Sequence, residues 1–307
     1  MISFNILILG GGKKVSLAKH LINCGKKNKK KIQIYSYDLE KNPPISKIAK
    51  IIKGKRYSDK NIISHIKNVM KEKKISLVIA VTDPSTIILS KLKKLGFNSC
   101  KICSDENINK ILLNKILTSK YLNTNKKILT TSKKKGFPII AKLNKGSASS
   151  SLFLLHSTKS KEEFEKKNKG YVFEKFINGL EYSVDLYIDQ NSQCLGVVCR
   201  RRVEITGGES TKIVSEKNVK LEKLALQISD YFNIIGPANI QFIKKNDKYF
   251  FMEINPRIAG GIMNTIASGL DIPDLMIKEI LNKKFKKFKF RKIKTIKYFK
   301  EHHELYN

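Results

Sequence analysis

The chain has 307 residues, and its 61 lysines and arginines against 26 aspartates and glutamates leave a net charge of +35 at pH 7. A hydrophobic content of 41% with seven prolines excludes a disordered or fibrous chain. No apolar run reaches the roughly 18–20 residues that span a bilayer, and no basic stretch precedes the first apolar segment, so we expect a soluble, cytoplasmic protein.

The first hundred residues predict strands and helices in alternation. Buried-type strands are predicted at residues 5–9, 32–37 and 77–81, and helices at 15–23, 61–73 and 84–95. This rhythm is typical of a parallel, doubly wound α/β sheet. A helical linker with an acidic first turn is predicted over residues 105–122.

After about residue 137 strands dominate, which predicts an α+β half with antiparallel sheets. Strands are predicted at 139–143, 152–155, 171–176, 181–189, 193–202, 238–244 and 249–254, and helices at 160–168, 221–233 and 272–281. Lysines alternate with apolar residues from 285 to 299, a pattern that predicts an edge strand. Five scattered cysteines suit a reducing cytosol, and Cys100 and Cys103 are interpreted as structural.

A glycine turn, Gly10-Gly11-Gly12, lies between the first strand and the first helix, and Asp38 ends the second strand. The motif is an incomplete dinucleotide fingerprint, since Val15 stands where the third glycine is expected. Two interpretations remain open. A tight turn of a parallel sheet is the one we favour, and a phosphate site would support an alternative function, an NAD(P)-dependent oxidoreductase.

The high positive charge suggests a second alternative, a nucleic-acid-binding protein, because lysines and arginines that neutralise phosphates release counterions. The lysines are spread through nearly every segment rather than along one stripe, which is typical of solvated faces. We therefore expect no specific nucleic-acid partner and no membrane partner. The six arginines are Arg56, Arg200, Arg201, Arg202, Arg257 and Arg291. Only arginine offers a planar fork to carboxylates or phosphates, so its positions indicate where that geometry matters.

Three segments in the second half carry polar residues of the kinds that bind ligands or take part in catalysis. Lys142 ends a predicted strand and precedes a small, hydroxyl-rich loop over residues 144–151, a combination suited to holding a triphosphate. Glu174 and Glu181 flank a predicted turn, where they offer acceptors to an exocyclic amine and to ribose hydroxyls. An exposed hairpin and two strand-end glutamates are the simpler interpretations of these segments.

The third segment is the strongest local signal. Glu253 and Asn255 are two positions apart on a predicted strand and so point to one side. Gln241 is placed to reach the same point from the neighbouring antiparallel strand. Three oxygen donors at one point suit Mg²⁺ bridging phosphates. Arg257, just beyond, offers a fork to a phosphoryl group.

In order and spacing, these segments resemble the ATP-grasp superfamily, and most closely its carbamoyl-phosphate-synthase-large-subunit-like branch. The residues that carry the resemblance are 137–142 with the loop that follows, 174–185, 239–241 and 253–257. The resemblance covers essentially the whole chain. It implies an α/β, Rossmann-like pre-ATP-grasp domain at 1–103 and a two-lobed α+β ATP-grasp domain. The small lobe with the phosphate loop is expected at 104–178, and the large lobe with the metal and acceptor site at 179–307.

The resemblance also implies residue roles. Lys115 and Lys142 would contact ATP phosphates together with the loop, and Arg257, Lys142 and Arg202 would act in catalysis. Magnesium, with Mn²⁺ as an alternative, would be held by Gln241, Glu253 and Asn255. The residues expected to bind ATP are Lys115, Lys142, Ser147, Ser149, Glu174, Lys175, Phe176 and Glu181. Glu174 would accept from the adenine amine beside the backbone of Phe176, and Glu181 would bind ribose. Residues 200–202 with 207–210 would hold the acceptor carboxylate.

Three positions depart from the family pattern. Ala148 stands in a loop that commonly carries more glycine, Asn114 precedes Lys115 where an aspartate is frequent, and Gln241 replaces a carboxylate that many relatives use. The carbamoyl-phosphate branch shares the glutamine.

The implied reaction is attack of a carboxylate on the γ-phosphate of ATP, followed by displacement of the acyl phosphate by an amine. The partners implied are a small-molecule carboxylate and a small-molecule amine, whose identities the sequence leaves open. A homodimer is the default expectation for a soluble enzyme.

Overall fold

A computed structural model describes residues 3–124, 128–131, 136–145, 152–206 and 208–296. The first part contains β1 (Ser3–Leu9), α1 (Val15–Lys27), β2 (Lys31–Asp38), β3 (Lys50–Lys53), α2 (Ile62–Glu72), β4 (Ile75–Ala80) and α3 (Asp83–Lys94). The strands form a parallel sheet in the order β3-β2-β1-β4. The predicted parallel sheet is confirmed, whereas β3 was not predicted, because two isoleucines between lysines are too short a run to be distinctive.

The predicted helix over residues 105–122 is divided in two. Helices α4 (Glu106–Leu112) and α5 (Lys115–Asn123) meet at Asn114, whose backbone is extended. The Asn114 side chain accepts a hydrogen bond of 3.1 Å from the backbone N–H of Leu117, so it caps α5. This cap explains why an asparagine is accommodated before Lys115, since the amide oxygen satisfies a helix N–H as a carboxylate would. The short strand β5 (Leu129–Thr130) follows.

A small antiparallel sheet comes next. It contains β6 (Ile139–Leu143), β7 (Phe153–Leu155) and β8 (Tyr171–Lys175), in the order β7-β6-β8, with helix α6 (Thr158–Lys167) between β7 and β8. Its own core is small, formed by Ile139, Ala141 and Leu155 with partly buried aromatic rings against them. This sheet therefore shares little apolar surface with the rest of the chain.

The remaining strands form a large sheet in the order β14-β11-β10-β9-β12-β13-β5. Its elements are β9 (Leu180–Ile188), β10 (Cys194–Thr206), β11 (Glu209–Glu216), α7 (Val219–Tyr231), β12 (Gly236–Lys245), β13 (Lys248–Asn255), α8 (Ile262–Ala267), α9 (Ile272–Ile280) and β14 (Lys294–Ile296). The expected antiparallel pairing is confirmed, apart from the parallel pair β13–β5. Strand β11 and helix α8 were not predicted, since neither has a clear apolar period.

The predicted edge strand over residues 285–299 is wrong for most of its length. Within the described residues only β14 is a strand, and residues 297–299 lie outside them. Residues 283–293 instead cross the molecule without regular structure, with Phe285, Phe288 and Phe290 packed against the core. A side chain at Gly196 would approach the Phe288 ring to 2.8 Å, so the glycine makes room for the ring. Burial of these rings overrides the alternating pattern.

The N-terminal sheet and the large sheet share one hydrophobic core. Ile6 and Leu21 of the N-terminal part belong to the same buried cluster as Tyr187, Val198 and Met276. Polar contacts reinforce the packing of α1 on α9. The His20 Nε2 lies 2.7 Å from Asp271 Oδ1, and the Asn28 side-chain amide donates to Asp274 Oδ1 at 2.7 Å. The two parts therefore form one packed unit. No helix within the described ranges is both long enough and apolar enough to cross a membrane.

Gly269→Ala should destabilise the protein because Gly269 has a φ of +107° and faces the backbone of the C-terminal crossing segment. An added Cβ would lie 2.2 Å from the carbonyl oxygen of Lys289. We expect a loss of about 2 kcal/mol or more in the free energy of unfolding, measured by urea denaturation. Gly260→Ala is the matched control, since open space surrounds its Cβ position. Equal stability of the two variants would contradict the described path of residues 283–293.

Candidate active site

A cavity of about 1570 Å³ opens where the three sheets meet. The N-terminal sheet contributes Gly12 and Asp38, the small sheet contributes Lys142, and the large sheet contributes Arg202 and Glu253. The N-terminal residues lie at the carboxyl ends of parallel strands, the usual ligand-binding edge of such sheets. Most of the polar residues singled out from the sequence therefore surround a single space.

The three residues proposed as metal ligands are brought together by strand pairing. Gln241 on β12 lies opposite Glu253 on β13, and Asn239 lies opposite Asn255. The Asn255 side-chain amide donates to Glu253 Oε1 at 3.1 Å. The predicted placement of Glu253 and Asn255 on one side of a strand thus agrees with the geometry. Their role as ligands stays a prediction.

Positive charges keep Glu253 ionised. Burial raises the pKa of this carboxyl, but the charges of Lys115 and Lys142, the hydrogen bond from Asn255 and the charge of Arg257 together hold the pKa below its usual value. The Nζ of Lys115 lies 3.8 Å from Glu253 Oε2. Glu253 is therefore a carboxylate at neutral pH, the form in which it can ligate a divalent cation.

Lys142 and Glu174 form an ion pair on neighbouring strands of the small sheet. Lys142 Nζ lies 2.8 Å from Glu174 Oε2, with side chains 9% and 5% exposed. Glu174 also accepts a hydrogen bond from the hydroxyl of Thr131, and Lys142 donates to the carbonyl of Met252 at 3.3 Å. The two residues predicted to bind opposite ends of ATP thus contact each other directly.

The turn after Glu174 was predicted to contact the adenine through its backbone. The N–H of Lys175 donates to Thr131 O at 2.9 Å, and the N–H of Phe176 donates to Pro138 O at 3.2 Å. A backbone hydrogen bond between Phe176 and a base would therefore have to be made by its carbonyl oxygen. Lys175 is exposed at the end of β8, so its side chain extends away from the buried ion pair.

Arg202 connects several of the predicted groups. Its guanidinium donates to Glu181 at 2.7 Å, to Gln241 Oε1 at 3.2 Å, to Ser210 Oγ at 2.7 Å and to Gly208 O at 2.8 Å. Burial lowers the pKa of Arg202 from its ordinary value, although the charge of Glu181 works in the opposite direction. The predicted ribose-binding, metal-binding and acceptor-binding residues therefore share one arginine.

The arginine cluster 200–202 divides between two faces of β10. Arg200 is buried and forms a two-pronged pair with Asp185, at 2.9 and 3.0 Å. Asp185 also accepts from Asn239 at 2.6 Å and from Thr265. Arg201 points to the opposite face, where it forms an ion pair of 2.9 Å with Glu216. Of the three, Arg202 is the one whose hydrogen bonds join several of the predicted ligand-binding residues.

Arg257 is held by a residue that sequence analysis missed. Its Nε donates to Asp83 Oδ1 at 2.6 Å, and its other nitrogens donate to Asn255 Oδ1 at 3.2 Å and Ile258 O at 3.3 Å. Asp83 begins α3, directly after the parallel strand β4. Asp83 could have been found from the sequence, because it follows the carboxyl end of a predicted parallel strand, where ligand-binding residues usually lie. Asp185 could have been found by the alternation of polar residues 181, 183 and 185 along one strand.

The glycine turn is explained by close packing within the N-terminal part. A Cβ at Gly10 would lie 2.9 Å from Thr82, one at Gly11 would lie 2.9 Å from Ser36 Oγ, and one at Gly12 would lie 2.5 Å from the Asp38 carboxylate. These contacts support the tight-turn interpretation. The turn nevertheless lines the cavity, together with Asp38.

Some predicted residues lie outside the part of the chain that the structure describes. These are Ser147 and Ser149, proposed to bind phosphates, together with the departure at Ala148 and with Gly207. Lys145, in the described part of the loop, lines the cavity.

Comparison with known proteins identifies the fold. Residues 168–302 match a family described as ATP-grasp in the biosynthetic pathway with Ter operon. The carbamoyl phosphate synthase large chain of Pseudothermotoga lettingae is 28% identical over 130 residues, which are 39% of this chain and 12% of that protein. The chain therefore matches only a small part of this curated relative.

Two solved structures illustrate the overall similarity. N5-carboxyaminoimidazole synthetase from Staphylococcus aureus, complexed with ADP, has a TM-score of 0.74 at 18% identity, covering 94% of this chain and 81% of that one. L-amino acid ligase from Bacillus licheniformis has a TM-score of 0.70 at 17% identity, covering 92% and 75%. The predicted ATP-grasp fold is confirmed. The prediction of an ATP-grasp enzyme agrees with the family matched over residues 168–302 and with the ligases that share the fold.

Arg200→Met should cost about 3–5 kcal/mol of unfolding free energy, because it leaves the buried Asp185 carboxylate without its cation. Arg201→Met, one position along the strand, should cost less than about 1 kcal/mol, since it breaks a partly exposed ion pair. Chemical denaturation of both variants gives the comparison. Similar losses in the two variants would show that Arg200 has no special structural role.

Proposed function

We propose that the chain is a Mg²⁺- and ATP-dependent ligase that joins a carboxylate to an amine and releases ADP and phosphate. The observation that carries the proposal is the ionised Glu253 beside Gln241 and Asn255, facing Lys115, Lys142 and Arg257 in one cavity. Oxygen donors next to concentrated positive charge suit a metal-bound polyphosphate. ATP-grasp ligases of known structure supply the fold-level support.

The donor set fits Mg²⁺, which prefers carboxylate and carbonyl oxygens. Glu253 would supply a carboxylate oxygen, and Gln241 and Asn255 would supply amide oxygens. Asn255 presents its nitrogen to Glu253 and its oxygen to Arg257. A rotation of this amide that turned its oxygen toward Glu253 would also change its hydrogen bond to Arg257.

ATP would be held by residues that now form ion pairs within the protein. The adenine amine would donate to Glu174, the ribose hydroxyls to Glu181, and the phosphates would accept from Lys115 and Lys142. Each of these lysines would then exchange a protein carboxylate for a phosphate oxygen. Bound Mg²⁺ would neutralise charge on the phosphates.

The acceptor carboxylate would attack the γ-phosphorus, forming the O–P bond of an acyl phosphate as the bond to ADP breaks. An amine would then attack the acyl carbon, expel phosphate and lose a proton. Arg257 and Arg202 would stabilise negative charge that develops on the transferred phosphoryl group and on the acceptor. Positioning and charge neutralisation supply the catalysis, and no protein nucleophile is needed.

The oxidoreductase alternative is less well supported, because packing accounts for the glycine turn. A small-molecule carboxylate and amine are the proposed substrates, and a cytoplasmic homodimer remains our expectation for the enzyme.

Thermal unfolding with different nucleotides tests the proposal. Mg²⁺ with ATP should stabilise the wild-type protein by about 2.7 kcal/mol at 100 times the dissociation constant, and ATP with EDTA should stabilise it less. Glu253→Gln should fold but lose the Mg²⁺-dependent part of the shift. Glu216→Gln, on the opposite face of the sheet, is the control. A shift with NADH alone, or none with Mg²⁺ and ATP, would overturn the proposal.

Asp83→Asn should reduce preference for the triphosphate, because Asp83 orients the guanidinium of Arg257. Calorimetry should show ADP affinity unchanged, whereas the ratio of β,γ-imido-ATP to ADP affinity falls roughly tenfold, the effect of one charged hydrogen bond. Asp83→Glu should restore part of the ratio. Asp105→Asn, which removes an exposed partner of Lys93, serves as the control. An unchanged ratio in Asp83→Asn would show that the ion pair has no role in phosphoryl binding.

A further inference from the structure

Arg56 is the single arginine among the first 199 residues, in a chain that uses lysine for nearly all of its positive charge. It lines the cavity from the N-terminal sheet, a part of the molecule that supplies none of the residues proposed to bind ATP or Mg²⁺. An arginine in a chain so rich in lysine is informative, because its planar guanidinium can bind a carboxylate or phosphate through two hydrogen bonds, which a lysine cannot do.

Carboxylate partners separate Arg56 from the four arginines that form ion pairs, of which Arg200, Arg202 and Arg257 also line the cavity. Arg200, Arg201, Arg202 and Arg257 pair with Asp185, Glu216, Glu181 and Asp83, respectively. Within the described ranges, no carboxylate lies at ion-pair distance from the guanidinium of Arg56 or of Arg291. Arg291 does not line the cavity. Arg56 is therefore the cavity-lining arginine whose fork is not already taken up by a protein carboxylate.

The backbone around Arg56 is fixed although its side chain is exposed. Gly54 donates to Asp38 O at 2.7 Å, and Lys55 donates to the Tyr37 hydroxyl at 2.9 Å. On the other side, the N–H of Asp59 donates to the carbonyl of Arg56 at 2.9 Å. These bonds anchor the segment to the end of β2. A ligand would therefore meet an arginine whose backbone position is already set, which lowers the entropic cost of binding.

The surrounding charge favours an anion. Lys13, Lys14, Lys55 and Lys91 line the same side of the cavity, against the acidic groups Asp38 and Glu40. The Nζ of Lys55 also lies 3.9 Å from Asp59 Oδ2, and this carboxylate offsets part of the charge of Lys55. Tyr57 lines the cavity next to Arg56, so a ligand here would meet an aromatic ring as well as the cation. This combination suits an organic molecule that ends in an oxyanion.

We propose that Arg56 binds a second anionic group of the acceptor substrate, a carboxylate or a phosphate monoester, at a distance from the carboxyl group that is activated. The assignment of this ligand as the acceptor rests on the proposed function. The acceptor is then at least a dianion, and its far end is bound by the N-terminal sheet. Fork recognition of two oxygens gives specificity for such an end group over a neutral one.

Retention of small molecules tests this proposal without knowledge of the natural substrate. The protein is incubated with three matched pairs, glutamate and glutamine, O-phosphoserine and serine, and 6-phosphogluconate and gluconate. Bound compounds are separated by gel filtration and measured by mass spectrometry, with and without Mg²⁺ and β,γ-imido-ATP. The variants are Arg56→Met, Arg56→Lys and the matched control Arg291→Met.

We expect the wild type and Arg291→Met to retain at least one member with the extra anionic group and not its neutral-ended counterpart. Arg56→Met should retain at least tenfold less, and Arg56→Lys an intermediate amount, because lysine keeps the charge but not the fork. The retained pair distinguishes carboxylate from phosphate. Equal retention by Arg56→Met, retention of neutral-ended compounds, or no retention by the wild type would overturn the proposal. Loss of nucleotide binding alone would instead count against the ligase function.

Discussion

Charge pairing on a buried surface is the constraint on which the rest of this structure depends. Carboxylates removed from water are costly unless a cation or a metal accompanies them. In this protein several buried or partly buried carboxylates around the cavity form ion pairs, from Asp185 with Arg200 on the large sheet to Glu174 with Lys142 on the small sheet. The fold therefore gathers positive charge at the cavity and pairs much of it with the chain's own acids.

This arrangement differs in strength from pair to pair. The Asp185–Arg200 pair has further hydrogen bonds from Asn239 and Thr265 and is enclosed, so it serves as a fixed part of the core. The Glu253–Lys115 contact is longer, at 3.8 Å, and 25% of the Glu253 side chain remains exposed. Exchange of partners is easier there. The rigid pair supports the sheet beneath the cavity, and the looser pair faces the space where ligands would enter.

The local pattern of residues predicted most of the elements and several of the residues that line the cavity. Period-two polar positions placed Glu253 and Asn255 on one side of a strand, and the structure agrees. The ion-pair partners could not be predicted, because Asp83 reaches Arg257 from 174 positions away and no local pattern encodes that distance. The C-terminal segment shows the opposite failure. Lysines and apolar residues do alternate there, but the phenylalanine rings pack against glycines and core residues distant in sequence, so tertiary packing determines the conformation of the segment.

The shared hydrophobic core has a consequence for how the chain folds and evolves. Because Ile6 and Leu21 belong to the same cluster as Val198 and Met276, the N-terminal part and the large sheet share one layer of core, although each also has a buried cluster of its own. The two parts should unfold in a single cooperative transition, while the small sheet, with its separate cluster, can open independently. Recombination between relatives could thus exchange the small sheet as a unit. Replacement of the N-terminal sheet would require matching changes in the large sheet, because the two share core residues.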